Sequence, residues 1–213
     1  MKRTMKKMIW MLANGCLALL AALSFANRVD AQDDSHHFQV TSSTFANNAT
    51  LPISAIHNNV SNNVNVCSVD GSAGGNKSPE LSWANAPRST QTFVVVAYDV
   101  TAAFTHWGMY NIPATTTKLP ENAGVAGSAF GTQVYNDFFI APEYDGPCPP
   151  AGVAPDVHHY VFTVYALDIA LKLPGSPNFG PAAETLFHAL IRAGRDNHIL
   201  ASASITGLYS TTP

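Results

Sequence analysis

One carboxylate and three imidazoles stand at the ends of apolar runs in this sequence. Asp99 ends one run, His106 begins the next after a short loop, and His158 and His159 begin a third. Because consecutive strand residues face opposite sides, at most one of His158 and His159 can readily share a pocket with Asp99 and His106. A carboxylate and two imidazoles could perform acid–base catalysis, ligate a metal ion or donate hydrogen bonds to a bound anion.

The segment YDGPCPP at 144–150 predicts a stiff loop beside these side chains. Pro147, Pro149 and Pro150 fix φ and lack free amides, so the loop has little conformational entropy left to lose on binding. A rigid apolar wall beside hydrogen-bond donors suits a small ligand. The same prolines also fit a turn that has no role in binding.

The motifs of several enzyme classes are absent from the sequence. It contains no Gly-x-Ser-x-Gly nucleophile elbow, no His-Glu-x-x-His zinc helix and no dinucleotide fingerprint. We therefore expect a non-catalytic protein with no cofactor and no metal ion, and we keep a His/Asp hydrolase or metal enzyme as the less favoured alternative.

Residues 1–31 have the pattern of a secretory signal peptide. A basic start precedes an apolar stretch at 8–26, and the small-x-Ala pattern at 29–31 predicts cleavage before Gln32. An uncleaved membrane anchor and a lipoprotein attached at Cys16 are the alternatives. We expect an exported protein, periplasmic or secreted, with no stable membrane insertion once the signal is removed.

Charge and cysteine content fit this expectation. Residues 32–213 keep 6 of the 11 basic and 13 of the 14 acidic side chains, a net charge of −7, which disfavours nucleic acid as a partner. They also keep two cysteines, Cys67 and Cys148. In an oxidising compartment such a pair predicts one disulfide, with two separate buried thiols as the alternative.

The remaining pattern predicts one β-rich domain over residues 38–213, preceded by a flexible tail at 32–37. Proline suits the first turn of a helix at 181–193, and Gly194 is placed to cap its end. The main strands are predicted at 38–45, 92–98, 106–112, 160–167 and 199–209.

Several short motifs follow the order in which one known family carries them. They are SPELSW (78–83), AP (86–87), the strand ending at Asp99, HW (106–107), NIPA (111–114), YDGPCPP (144–150), HHYVFTVYALD (158–168) and HILASASITGLY (198–209). With this set the sequence resembles the phosphatidylethanolamine-binding protein family, and most closely its bacterial Raf-kinase-inhibitor-like branch.

The resemblance implies a mainly β (α+β) fold, in which a large antiparallel sheet packs on a smaller sheet with a C-terminal helix. It also implies a small pocket for phosphate-like groups, including a phospholipid head group. Members act as binders and as inhibitors of kinases or proteases, and they are not generally enzymes. Carried over by position, the pocket residues are Asp99, His106, Pro149 or Pro150, His158 and Tyr160.

Two positions depart from the family pattern. Thr101 stands where the family usually has an acid, and His159 stands where it usually has an arginine. We hypothesise that the joint loss removes an opposed charge pair without leaving either charge unpaired. Residues 154–157 also resemble a small insertion before His158. These differences concern the choice of ligand. The main alternative function is that of a protein-binding inhibitor of a hydrolase or kinase-type partner.

Overall fold

The computed structural model describes residues 37–175 and 180–213. The predicted signal peptide, and all of the predicted tail except His37, lie outside the described residues. Among the described residues, no helix is both long and apolar enough to cross a membrane.

The described residues form eleven strands and one α-helix. In chain order the strands are β1 (Gln39–Thr41), β2 (Ala49–Thr50), β3 (Val60–Ser61), β4 (Val64–Asn65), β5 (Leu81–Ala84), β6 (Thr92–Asp99), β7 (Phe104–Pro113), β8 (Lys118–Leu119), β9 (Thr132–Gln133), β10 (His158–Leu167) and β11 (Ile199–Tyr209), and the helix is α1 (Ala183–Arg195).

A six-stranded sheet in the order β2-β11-β10-β6-β7-β9 forms the centre of the fold. Its neighbours pair antiparallel except β2 and β11, which are parallel. A three-stranded sheet, β1-β5-β8, packs on one face of it, and β3 and β4 form a separate hairpin. The predicted mainly β fold, a large antiparallel sheet packed on a smaller one with a C-terminal helix, is confirmed.

Strand β6 is apolar from Phe93 to Ala97 because both of its faces are covered. Phe93 and Val95 point into the core shared with the small sheet, where Phe93 lies 5.1 Å from Trp83 between ring centroids. Val94 and Val96 point the other way and pack in the cluster beneath α1. Successive side chains of a strand point to opposite faces, so burial of both faces favours an unbroken run of apolar, β-branched residues.

Helix α1 begins and ends two residues later than predicted, and Pro181 lies before its N-cap, Ala182, instead of in the first turn. The chain remains helical through Gly194, so the assignment of Gly194 as the cap was wrong. Asn197 takes the left-handed conformation instead, at φ 61°. His198 N donates to Ala193 O at 2.7 Å and Asn197 N donates to Gly194 O at 3.2 Å, which is the Schellman pattern.

The first strand is shorter than predicted, because hydroxyl side chains divert the backbone after Thr41. Ser42 Oγ donates to Glu80 O at 2.6 Å, and Glu80 N donates to Thr44 Oγ1 at 2.9 Å. Thr44 N also donates to Ser42 Oγ at 3.0 Å, a local bond of the kind that competes with the strand ladder. The last strand, by contrast, spans the residues predicted for it.

The predicted disulfide is present between Cys67 and Cys148, with the two sulfur atoms 1.98 Å apart. It joins the segment after β4 to the proline-rich loop before β10. The alternative of two separate buried thiols was wrong.

We predict that Cys148→Ser lowers the melting temperature. The bond closes a loop with a sequence separation of 81 residues, for which loop-closure entropy gives about 4 kcal/mol, or about 10 °C for a domain of this size. Scanning calorimetry of the wild type and the variant, each with and without a reductant, checks this. Equal melting of the wild type with and without the reductant would contradict it.

Candidate ligand-binding site

A cavity of about 210 Å³ opens where the central strands β6, β7 and β10 end or begin. All six residues predicted as its lining are brought together there, and both Pro149 and Pro150 take part. The lining residues are Asp99, Ala102, Phe104, His106, Phe138, Cys148, Pro149, Pro150, His158 and Tyr160.

Strand register sets the polar residues side by side. Asp99 of β6 pairs directly with Tyr160 of β10 on one side and with Phe104 of β7 on the other. His158 lies two residues before Tyr160 and therefore faces the same side of the sheet. His158 is buried and His159 is exposed, so the prediction that only one of them shares this pocket is confirmed.

The Asp99 carboxylate is fully engaged by donors from its own surroundings. Its Oδ1 accepts the amides of Thr101 at 2.8 Å and Ala102 at 3.1 Å, and its Oδ2 lies 2.6 Å from His158 Nδ1. This bond fixes the proton of His158 on Nδ1 toward Asp99. Only Nε2 of that ring remains for a ligand.

His106 is held in a similar way by a main-chain carbonyl. Its Nδ1 donates to Asp145 O at 2.8 Å. Burial lowers the pKa of His106 below its ordinary value, against the opposing effects of the Asp145 carbonyl and the Asp99 charge. The ring is therefore neutral at pH 7, with an unprotonated Nε2, and it gains a proton there only in acid or beside an anion.

Tyr160 contributes the one buried hydroxyl of the lining. Its ring lies edge-on to His106 at 5.1 Å and stacks with His158 at 6.3 Å between centroids. Its Oη is buried and has no hydrogen-bond partner of good geometry among the described residues. Burial raises the pKa of Tyr160, and the charge of the nearby Asp99 carboxylate and a weak hydrogen bond to it act in the same direction, so the hydroxyl keeps its proton and can donate it to a ligand.

The proline wall is anchored at three successive residues. Pro147 O accepts His57 N at 3.1 Å, Cys148 is held by the disulfide, and Pro149 O accepts Thr211 Oγ1 at 2.9 Å. The wall therefore keeps its shape whether or not the cavity is filled.

Sequence reasoning missed the aromatic side of the cavity. Phe104 and Phe138 pack edge-on at 4.8 Å between centroids, and both approach the His106 ring. Phe138 lies outside any strand, in a loop where Phe139 and Ile140 follow it. Three successive apolar residues in a loop were the signal that could have indicated a role for Phe138.

The arrangement does not resemble a metal centre. Among residues 37–175 and 180–213, no three His, Cys, Asp or Glu side chains are grouped so that they could hold a metal ion. The cavity instead presents two imidazoles and a phenol within a mostly aromatic and proline-lined hollow.

The family model named phosphatidylethanolamine-binding protein matches residues 41–210 of this chain. The chain belongs to the phosphatidylethanolamine-binding protein family. It is 36% identical over 199 residues to the Escherichia coli UPF0098 protein YbcL, covering 90% of this chain and 94% of YbcL. It is 37% identical over 141 residues to a UPF0098 protein of Methanothermobacter thermautotrophicus, covering 64% of this chain and 84% of that one.

Solved structures of this family are similar as well. The crystal structure of Escherichia coli YbcL, described as a new member of the mammalian PEBP family, matches with a TM-score of 0.65 and 32% identity over 82% of this chain and 98% of that one. A putative PEBP homologue from Chlamydia trachomatis matches with a TM-score of 0.61 and 27% identity, with the same coverage of both chains.

The two departures from the family motif lie next to each other in the structure. Thr101 Oγ1 accepts the backbone amide of His159 at 3.0 Å. This contact joins the Thr101 side chain to the backbone of His159 and not to its side chain. The loss of an opposed charge pair at these two positions stays a hypothesis.

We predict that the free energy of unfolding of the wild type falls, relative to that of His106→Asn, as the pH is lowered from 7 to 5. His106 stays neutral in the fold because its pKa is lowered, whereas the unfolded chain takes up a proton near the ordinary value of about 6.5. Its stabilising contribution is therefore present above that value and lost below it.

Urea unfolding of both proteins at pH 5 and pH 7 measures this difference. The asparagine amide at 106 can still donate to Asp145 O, and it does not titrate. A constant difference between the two proteins across this pH range would contradict the prediction.

Proposed function

We propose that this protein is an exported, non-catalytic binder of a small anionic group, such as a phosphate or a phospholipid head group. The observation that carries the proposal is the convergence of His106, His158 and Tyr160 on one cavity beside an anchored proline wall. Family membership supports it, since the family is named for binding such a lipid.

The cavity suits an anion once His106 is protonated. Asp99 receives three hydrogen bonds, one of them from His158, so its carboxylate oxygens have partners before a ligand arrives. His106 then supplies the further positive charge when it takes up a proton. Charge-assisted hydrogen bonds of this kind are the strong ones in anion sites.

Cavity size limits the ligand to a small group. A volume of about 210 Å³ lies below the range of roughly 300–1,000 Å³ that holds drug-sized ligands. A phosphate or a head group fits this restriction better than an entire lipid molecule.

Exposed apolar residues favour a head group that continues into an apolar part. Val100, Ile140, Val153 and Val157 each lie within three residues of a lining residue, and each is exposed by 45% or more. We propose that a lipid tail contacts these residues and leaves only the head group inside the cavity.

Hydrolysis is the second candidate, because the His158–Asp99 pair at 2.6 Å resembles the orienting half of an acid–base catalyst. Against it, the lining contains no Ser, Thr or Lys, and Cys148 is held in the disulfide. A serine, threonine, lysine or free-thiol nucleophile is thus missing from the described lining. The binding function remains the better supported.

The disulfide supports the proposal that the protein is exported. Such bonds persist in oxidising compartments and are rare in the reducing cytosol. The pattern of residues 1–31 agrees with that location.

We predict that phosphate and sulfate bind more tightly at pH 5.5 than at pH 8, because His106 must gain a proton whose uptake burial opposes. Isothermal titration calorimetry measures both affinities. Sulfate keeps a constant charge over this range, so its pH dependence reports on the protein. Equal sulfate affinity at both pH values would contradict the prediction.

Removal of either imidazole should weaken anion binding at pH 5.5. His106→Ala and His158→Ala each remove a hydrogen bond to a charged group, worth about 1.5–3 kcal/mol or roughly tenfold to a hundredfold in Kd. His188→Ala changes an exposed histidine on α1 and is the matched control. Unchanged binding in both pocket variants, or turnover of a phosphomonoester or carboxylic ester by the wild type, would overturn the proposed function.

We predict that the exported protein begins at Gln32. Mass spectrometry of intact protein from the periplasm or medium of an expressing bacterium identifies the terminus. A protein that keeps residues 1–31, or that remains in the cytosol, would contradict the proposal of export.

A further inference from the structure

A second cluster of polar side chains lies behind the cavity wall. It consists of His57, Asn76, Asn136 and Asp145, with the Asp145 carboxylate buried at its centre. That carboxylate accepts Asn76 Nδ2 at 3.0 Å and Asn136 Nδ2 at 2.8 Å, and His57 Nδ1 lies 3.4 Å from it. None of these four residues lines the cavity.

The main chain of Asp145 holds His106 from two sides. Asp145 N donates to His106 O at 3.0 Å, and His106 Nδ1 donates to Asp145 O at 2.8 Å. The position of the His106 ring therefore depends on the position of Asp145, which the surrounding side chains fix through its carboxylate.

A second connection reaches the cavity through Phe138. The His57 ring stacks on the Phe138 ring with centroids 4.9 Å apart and planes 16° apart. Asn136 Oδ1 also accepts the Phe138 amide at 2.9 Å. The same cluster thus supports both His106 and the aromatic wall beside it.

The cluster also contains two ionisable groups, His57 and Asp145. Contact with the Asp145 carboxylate raises the pKa of His57 despite burial. The bond that His57 Nδ1 donates to Asn76 Oδ1 at 3.2 Å and the charge of Glu143 act in the same direction. Burial alone would raise the pKa of Asp145, but bonds from His57, Asn136 and Asn76 hold it below its ordinary value. Both pKa shifts favour the ionised form of the pair, with a protonated His57 next to the Asp145 carboxylate.

Other ionisable groups also face these rings. Around the cavity, Asp99, His158 and Tyr160 lie near His106, and Asp145 lies behind it. Of these, Asp99 and Asp145 favour the proton on His106. The groups that face His57 are Asp145 and Glu143.

We propose that the His57–Asp145 pair positions His106 and that the charge of this pair sets the pH at which the cavity accepts an anion. The inference rests on the proposed function. The Asp145 carboxylate attracts a proton to His106, and protonated His57 offsets that attraction. Loss of each partner therefore moves the protonation of His106 in an opposite direction, which a purely structural support would not do.

The decisive experiment is an NMR titration of the histidine rings in the wild type, His57→Gln and Asp145→Asn. The pKa of His106 should rise in His57→Gln, which removes a nearby positive charge, and fall in Asp145→Asn, which removes a nearby negative one. His188→Gln, an exposed change on α1, should leave it unmoved. Shifts in the same direction for both variants, or no shift in either, would overturn the inference.

Sulfate binding gives the functional readout. The midpoint of its affinity against pH should move up in His57→Gln and down in Asp145→Asn. At a fixed pH near the midpoint this corresponds to a change in Kd of about fivefold, the lower end for coupled sites. Unmoved midpoints in both variants would also overturn the inference.

The wild type alone provides a test if Asp145→Asn does not fold. Its His106 signals should move twice on acidification, slightly when His57 takes up its proton and fully when His106 does. Movement in a single step, with no response to His57, would overturn the inference. A wild type that binds neither sulfate nor phosphate would overturn the proposed function, whereas bound sulfate with an insensitive His106 would overturn this inference alone.

Discussion

The candidate site depends on the register between β6 and β10. Pairing of Asp99 with Tyr160 brings His158 next to the Asp99 carboxylate and turns His159 to solvent. A slip of one residue would exchange the two histidines and bury the wrong one. Burial of both faces of β6 stabilises this register. Side chains on one face of the strand pack against the small sheet, and those on the other face pack against α1.

The buried carboxylates of Asp99 and Asp145 both accept hydrogen bonds from neighbouring groups, so neither needs a ligand as its partner. Asp99 is satisfied by two amides and an imidazole, and Asp145 by two amide side chains and a second imidazole. Burial of an ionised group is costly unless it is paired and hydrogen-bonded. Among the described residues of the lining, the fully buried polar atom without a partner of good geometry is the neutral Tyr160 hydroxyl, which costs less to leave unpaired than a charge does.

Those parts of the site that follow from local pattern could be predicted from the sequence. Asp99, His106 and His158 mark strand ends, and alternation along β10 separates His158 from His159. Phe138, His57 and Asp145 could not be predicted in the same way, because their roles come from contacts between segments far apart in the chain. The helix end shows a similar limit, since Asn197 accepts the left-handed conformation that Gly194 was expected to take.

The bond between Cys67 and Cys148 also makes a covalent ring of the chain between them. Strands β5 to β9 lie within that ring, and the cavity wall belongs to its closing segment. A protease that cuts once anywhere inside the ring leaves both pieces tethered. The two pieces of the cut molecule would stay covalently joined until a thiol reduced the disulfide, which would favour the exported binder proposed above.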